Sequence, residues 1–171
     1  PTPDVIHAHD WQTGLVPVLA RTVPRFRERL ASTALVFTVH NLTYQGVFDR
    51  DVVPRLGLPW SVFRMETGEF WGRFSFLKAG LTTSDVVTTV SPTYAKETLS
   101  AETGAGLDGV LKTLGDRYVG ILNAIDTRVW DPSADPLIPA PYDADNLAGK
   151  AVCKRALLAR FNLPLGDDAL A

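Results

Sequence analysis

Asp4-Val5-Ile6-His7-Ala8-His9-Asp10-Trp11 passes from a short β-branched run into a cluster of polar residues, and the helical spacing of Leu15, Val18 and Leu19 follows it. The same alternation recurs along the chain. With Asp4 to His7, the stretches Leu35 to His40, Asp85 to Val90 and Tyr118 to Leu122 read as strands, each bounded by polar or turn residues. Helical patterns are carried by Phe74, Leu77 and Leu81 and, more loosely spaced, by Leu147, Ala151, Leu158 and Phe161. Ser91-Pro92 has the form of an N-cap followed by proline at the first helical position, which starts a helix running to about Leu99. Strands that alternate with helices and are apolar on both faces predict a doubly wound α/β fold, a Rossmann-like parallel sheet covered by helices on both faces.

In such sheets ligands gather beyond the carboxyl ends of the strands. The polar residues follow that rule: His7, His9 and Asp10 after the first strand, His40 and Asn41 at the second, Ser91 after the third, Asn123 and Asp126 after the fourth. Two stretches read as loops. Asp49 to Arg73, rich in glycine and aromatics, suits an ordered active-site loop with short helical turns, while the four prolines between Asp131 and Tyr142 predict an extended segment at a domain boundary.

The chain of 171 residues is 46% hydrophobic and 21% charged, the profile of about one globular domain. Its net charge of -2 excludes a broad cationic surface for nucleic acid or anionic lipid. The basic clusters Arg21 to Arg29 and Lys150 to Arg160 read as solvated helix faces, and no apolar run approaches the ~20 residues that span a bilayer. The single cysteine, Cys153, cannot form an internal disulfide, which fits a reducing compartment. The start at Pro1 without methionine, and the apolar segment beginning near Asp167 to Ala171, read as cut ends.

His7 and His9 form an HxH pair of the kind that opens zinc sites, but with three histidines in all a zinc reading needs His40 as well and further ligands. Asp10 admits two compatible readings: a side-chain cap for a helix starting at Trp11, worth about 1 kcal/mol, or a carboxylate that orients a substrate hydroxyl or a lysine. His40 is either a packed, hydrogen-bonded histidine or a functional one, and its place on the same sheet edge as Asp10 and Asn123 favours function. Ala105-Gly106-Leu107-Asp108-Gly109 reads as a turn or, less specifically, as an anion site at a helix start. No G-x-G-x-x-G follows the first strand, and no G-x-x-x-x-G-K-[ST] or G-x-S-x-G occurs, so dinucleotide, P-loop and serine-nucleophile chemistries lack their devices. Trp11, Tyr44, Trp60, Trp71 and Trp130 read mostly as core aromatics, with sugar stacking as the role of some.

Taken in order, six strings resemble the glycogen and starch synthase family, retaining glucosyltransferases of the two-domain GT-B fold. They are Pro3-Asp4-Val5-Ile6-His7-Ala8-His9-Asp10-Trp11-Gln12, Phe37-Thr38-Val39-His40-Asn41-Leu42-Thr43-Tyr44-Gln45-Gly46, Phe74-Ser75-Phe76-Leu77-Lys78-Ala79-Gly80, Thr89-Val90-Ser91-Pro92-Thr93-Tyr94-Ala95, Gly106-Leu107-Asp108-Gly109-Val110-Leu111 and Gly120-Ile121-Leu122-Asn123-Ala124-Ile125-Asp126. The resemblance implies that Asp10 and His40 are catalytic and that Trp11, Asn41, Tyr44, Gln45, Asn123 and Asp126 bind substrate. It implies ADP-glucose as donor, an α-1,4-glucan as acceptor, no metal or other cofactor, and no nucleic-acid or membrane partner. It also implies a bacterial cytoplasmic location, or a plastid one for a plant or algal source. Residues 1–135 would be the C-terminal part of the N-terminal, acceptor-side domain; 136–171 would be the interdomain segment and the start of the nucleotide-sugar domain.

The sequence departs from the family pattern at Ala124, where glycine is usual, and at Gln12, where many members have histidine. The family's Lys-x-Gly-Gly-Leu loop and its diphosphate-binding second domain are absent from these residues. The reaction implied is front-face displacement, in which the acceptor 4-hydroxyl attacks on the side from which the diphosphate leaves. Two other readings stand beside it: a glucan-binding or assembly module without chemistry, and a metal-dependent hydrolase.

Overall fold

The computed structural model describes residues 1–164, so the final segment read as apolar lies outside the described residues. Residues Pro1–Asn123 form one compact unit, and a second begins at Ala124. In the first, β1 (Val5–His9), β2 (Ala34–Val39), β6 (Val86–Thr89) and β7 (Tyr118–Gly120) build a parallel sheet in the order β1-β2-β6-β7. All four expected strands are present. The first is displaced towards His9, the second is shifted back by one residue so that His40 lies past its end, and the last two are trimmed by two residues each, leaving Asn123 three residues past β7.

Register fixes which side chains share a face. Ala8 pairs with Phe37 and Phe37 with Val87, and this row lies under α4 (Phe76–Thr83) and α6 (Asp108–Leu114), whose Leu77, Leu81, Leu111 and Leu114 join the main core together with Leu107 at the cap of α6. Phe37 is fully buried, a contribution of roughly 1.5–3 kcal/mol. The opposite face carries Val5, His7, His9, Val86 and Val119, all exposed.

Close approach of helices decides two positions. Helix α1 (Leu15–Thr22) crosses α4 where Gly14 and Gly80 meet: a Cβ at Gly14 would lie 2.2 Å from the Phe76 carbonyl oxygen, and one at Gly80 would lie 2.8 Å from the Phe37 ring and 3.1 Å from the Gly14 Cα. The second core, Val18, Val53, Leu58, Val62, Phe74 and Ala79, fills the far side of this crossing. Arg21 is not merely a solvated basic residue, because it joins α1 to the sheet through Asp85 at 2.7 Å, and the same carboxylate accepts from the Leu35 amide.

Phe74 does not open α4 as its spacing with Leu77 and Leu81 suggests; it lies in a second, antiparallel sheet ordered β3-β5-β4. The strands are β3 (Val47–Phe48), β4 (Glu69–Phe70) and β5 (Arg73–Ser75). Ser75 then caps α4 by accepting from the Lys78 amide at 3.1 Å. Beyond α2 (Pro24–Arg29), which follows α1, helix α3 (Val52–Arg55) and a 3₁₀ turn at Trp60–Val62 supply the expected short turns. Helix α5 (Pro92–Glu97) begins as read, with Ser91 accepting from the Tyr94 amide at 2.8 Å, and ends two residues early.

In the second unit, α7 (Ala148–Arg160) packs beside the proline-rich stretch. A Cβ at Gly149 would meet the Pro141 carbonyl oxygen at 1.9 Å, and Cys153 Sγ lies 3.2 Å from that of Ala140. No helix among the described residues is long and apolar enough to cross a membrane.

The glycine contacts yield a paired prediction. Gly14→Ala should destabilise the fold by about 1–3 kcal/mol by forcing α1 from α4, whereas Gly109→Ala, with open space around its Cβ inside α6, should stabilise by about 0.4–1 kcal/mol. Urea denaturation of both variants measures the difference; equal effects would contradict the crossing geometry.

Candidate active site

Asp10 leaves β1 with φ 56° and ψ 177°, a backbone region that residues other than glycine rarely occupy, at a cost of about 1–3 kcal/mol. Neighbouring bonds hold it there. Its amide donates to the Thr38 carbonyl at 2.9 Å, its carbonyl accepts from the Thr13 amide at 3.1 Å, and Thr13 Oγ1 bridges the His9 amide and carbonyl at 2.6 and 2.5 Å. The expected helix cap is not made: Trp11–Thr13 is a single 3₁₀ turn with no side-chain cap bond. The turned backbone instead aims Asp10 Oδ1 across to β2, where it accepts from the His40 amide at 2.7 Å. Asp10 and His40 thus meet at adjacent strand ends.

The three histidines lie in a row. His7 and His9, two residues apart, share a sheet face with ring centroids 4.2 Å apart, and His9 Nδ1 stands 3.1 Å from His40 Nε2. His7 Nε2 is hydrogen-bonded to Thr38 Oγ1 at 2.6 Å, and Thr38 Oγ1 to Thr88 Oγ1 at 2.6 Å, so a polar chain crosses β1, β2 and β6. Desolvation against the sheet, and then the proximity of His9 and His40, hold the His7 imidazole below its ordinary pKa. Among the described residues no group of three or more His, Cys, Asp or Glu side chains converges to hold a metal ion.

The other site residues fall in three places. Asn41 Oδ1 accepts from the Thr43 amide at 2.9 Å and turns the loop after β2, exposing Tyr44. Gln45 ties that loop down: its carbonyl accepts from the Leu77 amide and Ser75 Oγ, its Nε2 donates to the Ala105 carbonyl at 2.8 Å, and its Oε1 is buried without a protein partner. Trp11 is half-buried against the backbone of Gly46, where an added Cβ would come within 2.3 Å of the indole, and near Phe48 and Phe76. Asn123 is exposed three residues past β7 and closes the first unit. Asp126 belongs to the second unit, where the Arg128 backbone amide and guanidinium lower its carboxyl pKa.

Thr13, Thr38 and Thr88, which support Asp10 and His7, were not signalled by the sequence, because threonine in and after a strand is ordinary β composition. The reading of the large aromatics as core needs correction: Tyr44, Trp60, Trp71 and Trp130 are all exposed, and only Trp11 packs against the core. The Ala105-Gly106 segment is a turn with two positive φ angles, and Asp108 fills the start of α6 with its own carboxylate, paired to Lys112 at 3.0 Å.

A family model described as the starch synthase catalytic domain matches residues 1–113. The chain is similar to the glycogen synthase of Anaeromyxobacter sp. (strain Fw109-5), 52% identical over 166 residues that cover 97% of this chain and 35% of that protein. It is similar to the glycogen synthase of Myxococcus xanthus (strain DK1622), 54% identical over 169 residues, covering 96% and 34%. Among solved structures it is similar to the catalytic domain of starch synthase IV from Arabidopsis thaliana bound to ADP and acarbose, with a TM-score of 0.81, 36% identity, and coverage of 98% of this chain and 34% of that one. The chain spans about a third of the length of the curated relatives it matches.

Two measurements probe the geometry. Asp10→Ala keeps the strained backbone and loses the bond to His40, while Asp10→Gly loses the bond and relieves the strain, so the glycine variant should be the more stable of the two by about 1 kcal/mol; the reverse order in thermal unfolding would refute the strain. For His7, a folded pKa below the unfolded value of about 6.5 means that the unfolded chain binds more protons between them. Stability should therefore fall as pH drops below about 6.5, levelling off beneath the folded value, and His7→Asn should flatten that slope in urea titrations. An unchanged slope would assign the dependence elsewhere.

Proposed function

The chain belongs to the family of starch synthase catalytic domains, and on that premise we propose that it forms the acceptor-side wall of a retaining glucosyltransferase active site. The full-length protein would transfer glucose from ADP-glucose to the non-reducing 4-hydroxyl of an α-1,4-glucan. The observation that carries the reading is the clamp of Asp10 Oδ1 on the His40 amide, which brings a carboxylate and an imidazole together where parallel-sheet folds collect ligands. The starch synthase bound to ADP and acarbose supports an adenine nucleotide donor and a glucan acceptor.

Each group has a task in this reading. Asp10 spends one carboxylate oxygen on His40 and directs the other towards an acceptor hydroxyl or a lysine of the donor-side domain. His9 engages His40 Nε2, so that the His40 ring meets a hydroxyl of the donor sugar in one orientation. Asn123 and Asp126 supply further sugar contacts, Asn41, Tyr44 and Gln45 shape the loop after β2, and Trp11 supports that loop from beneath. With no enzyme carboxylate acting as nucleophile, the acceptor hydroxyl attacks on the face the diphosphate leaves, and the leaving diphosphate takes its proton. The protein lowers the barrier by positioning and by stabilising charge as two domains close. Residues 1–135 then belong to the acceptor-side domain and 136–171 to the crossing into the nucleotide-sugar domain. The bacterial relatives favour a cytoplasmic setting.

In the full-length protein, His40→Ala should lower kcat for glucose transfer from ADP-glucose to glycogen by about 10²–10³-fold while the thermal midpoint stays close to that of the parent. Radiolabelled incorporation and a melting curve measure the two. Near-parental turnover would remove His40 from the site, and a parent inactive with ADP-glucose would overturn the donor assignment.

A further inference from the structure

Strands β4 and β5 are joined by a two-residue loop, Trp71-Gly72, because Phe70 pairs with Arg73. Both loop residues have positive φ, 51° and 78°, the requirement of the type I′ hairpin turn. That turn selects asparagine, aspartate or glycine at its first position, and a bulky side chain there is an outlier. Here the residue is tryptophan, held with 83% of its surface exposed, while Glu69 Oε1 staples the turn by accepting from the Gly72 amide at 2.6 Å. Neither backbone preference nor core packing accounts for an indole at this point.

Beside the indole is a cavity of about 180 Å³ lined by Met65, Glu69, Phe70, Trp71, Lys78 and Gly106. Gly106, with φ 78°, leaves its rim open beside the indole. Lys78 is 5% exposed and donates through Nζ to the Glu69 carbonyl at 2.6 Å, with the Glu69 and Glu66 carboxylates close enough to counter its charge. Burial still lowers the Lys78 pKa against the opposing pull of the Glu69 and Glu66 carboxylates, and its ammonium and the Glu69 carboxylate give a donor and an acceptor for hydroxyls. One flat aromatic beside a small, mostly apolar cavity with Lys78 and Glu69 at its edge matches the apolar face and hydroxyl edge of a pyranose.

We propose that Trp71 and the cavity beside it form a second glucan-holding site, a stacking platform that retains an α-1,4-glucan chain apart from the strand-end groups Asp10 and His40. The identity of the sugar rests on the glucan synthase reading; the platform itself rests on the hairpin. It would serve a polymeric acceptor, keeping a long chain attached while its non-reducing end exchanges.

The chain has four tryptophans, so its indole N–H resonances form a small set that residue substitutions assign. Titration of the chain with maltoheptaose should shift the Trp71 indole saturably. Trp71→Asn, which suits the turn better, should weaken the Kd for this site by about tenfold or more while leaving the thermal midpoint unchanged or higher, and Trp71→Phe should restore part of the affinity. His40→Ala should leave the Trp71 titration intact. A Trp71 signal unmoved by maltoheptaose, an affinity unchanged in Trp71→Asn, or a Trp71 shift abolished by His40→Ala would each overturn the proposal, the last by merging the two sites. In the full-length protein Trp71→Asn should raise KM for glycogen and leave kcat on maltotriose unaltered. An absence of transfer in the parent would count against the glucan synthase reading alone, since the indole titration is independent of turnover.

Discussion

The hydrogen bond from the His40 amide to the Asp10 carboxylate begins where the β1–β2 ladder stops, and much of the first unit is arranged so that it forms. His9 sits opposite Thr38 in register, and Asp10 continues the ladder by donating to the Thr38 carbonyl. Only a reversal of φ at Asp10 then turns its side chain towards β2 rather than along β1. The same turn drops Trp11 beneath Gly46, which fixes the loop after β2 and lets the Gly46 and Gln45 carbonyls accept from the Phe76 and Leu77 amides, the first two of α4. Strain at one residue is offset by bonds from Thr13, Thr38 and His40, and the position of α4 over the sheet follows from it.

The sequence made the parallel α/β class legible because strand and helix periodicities alternate cleanly and the polar residues fall at strand ends. Asp10 and His40 were legible as a pair for the same reason. What escaped were effects that depend on φ or on three-dimensional neighbours. Asp10 resembles a helix cap by position, and only its positive φ shows why it turns away from the helix. Phe74 fits a helical spacing with Leu77 and Leu81, yet the antiparallel pairing of Val47 with Ser75 and Phe48 with Phe74 claims it for a strand. The tryptophans looked like core residues because hydrophobicity alone does not say which face a loop presents. The chain from Asp49 to Arg73 encodes its small sheet in strands of two or three residues, too short for periodicity to register.

The sheet is strongly asymmetric in its packing. On one side Phe37, Leu77, Leu81 and Leu111 are sealed; on the other Val5 is 53% exposed and Val119 42%, on the same face as the histidines and threonines. Aliphatic residues thus interleave with polar ones across that face, which lets the site draw on a framework of regular strands rather than on loops alone. Rigid placement of this kind favours a reaction in which the protein chiefly positions two sugars and a leaving group.

The hydroxyls of Thr38 and Thr88 add a property beyond support. Each has one hydrogen to give, so the chain from His7 through Thr38 to Thr88 has a direction. When His7 Nε2 is bare, Thr38 donates to it and must accept from Thr88. When Nε2 carries a proton, Thr38 accepts and is released to donate onward. The location of one hydrogen on an imidazole at the edge strand is therefore written into the orientation of a hydroxyl dipole two strands away, with no heavy atom displaced.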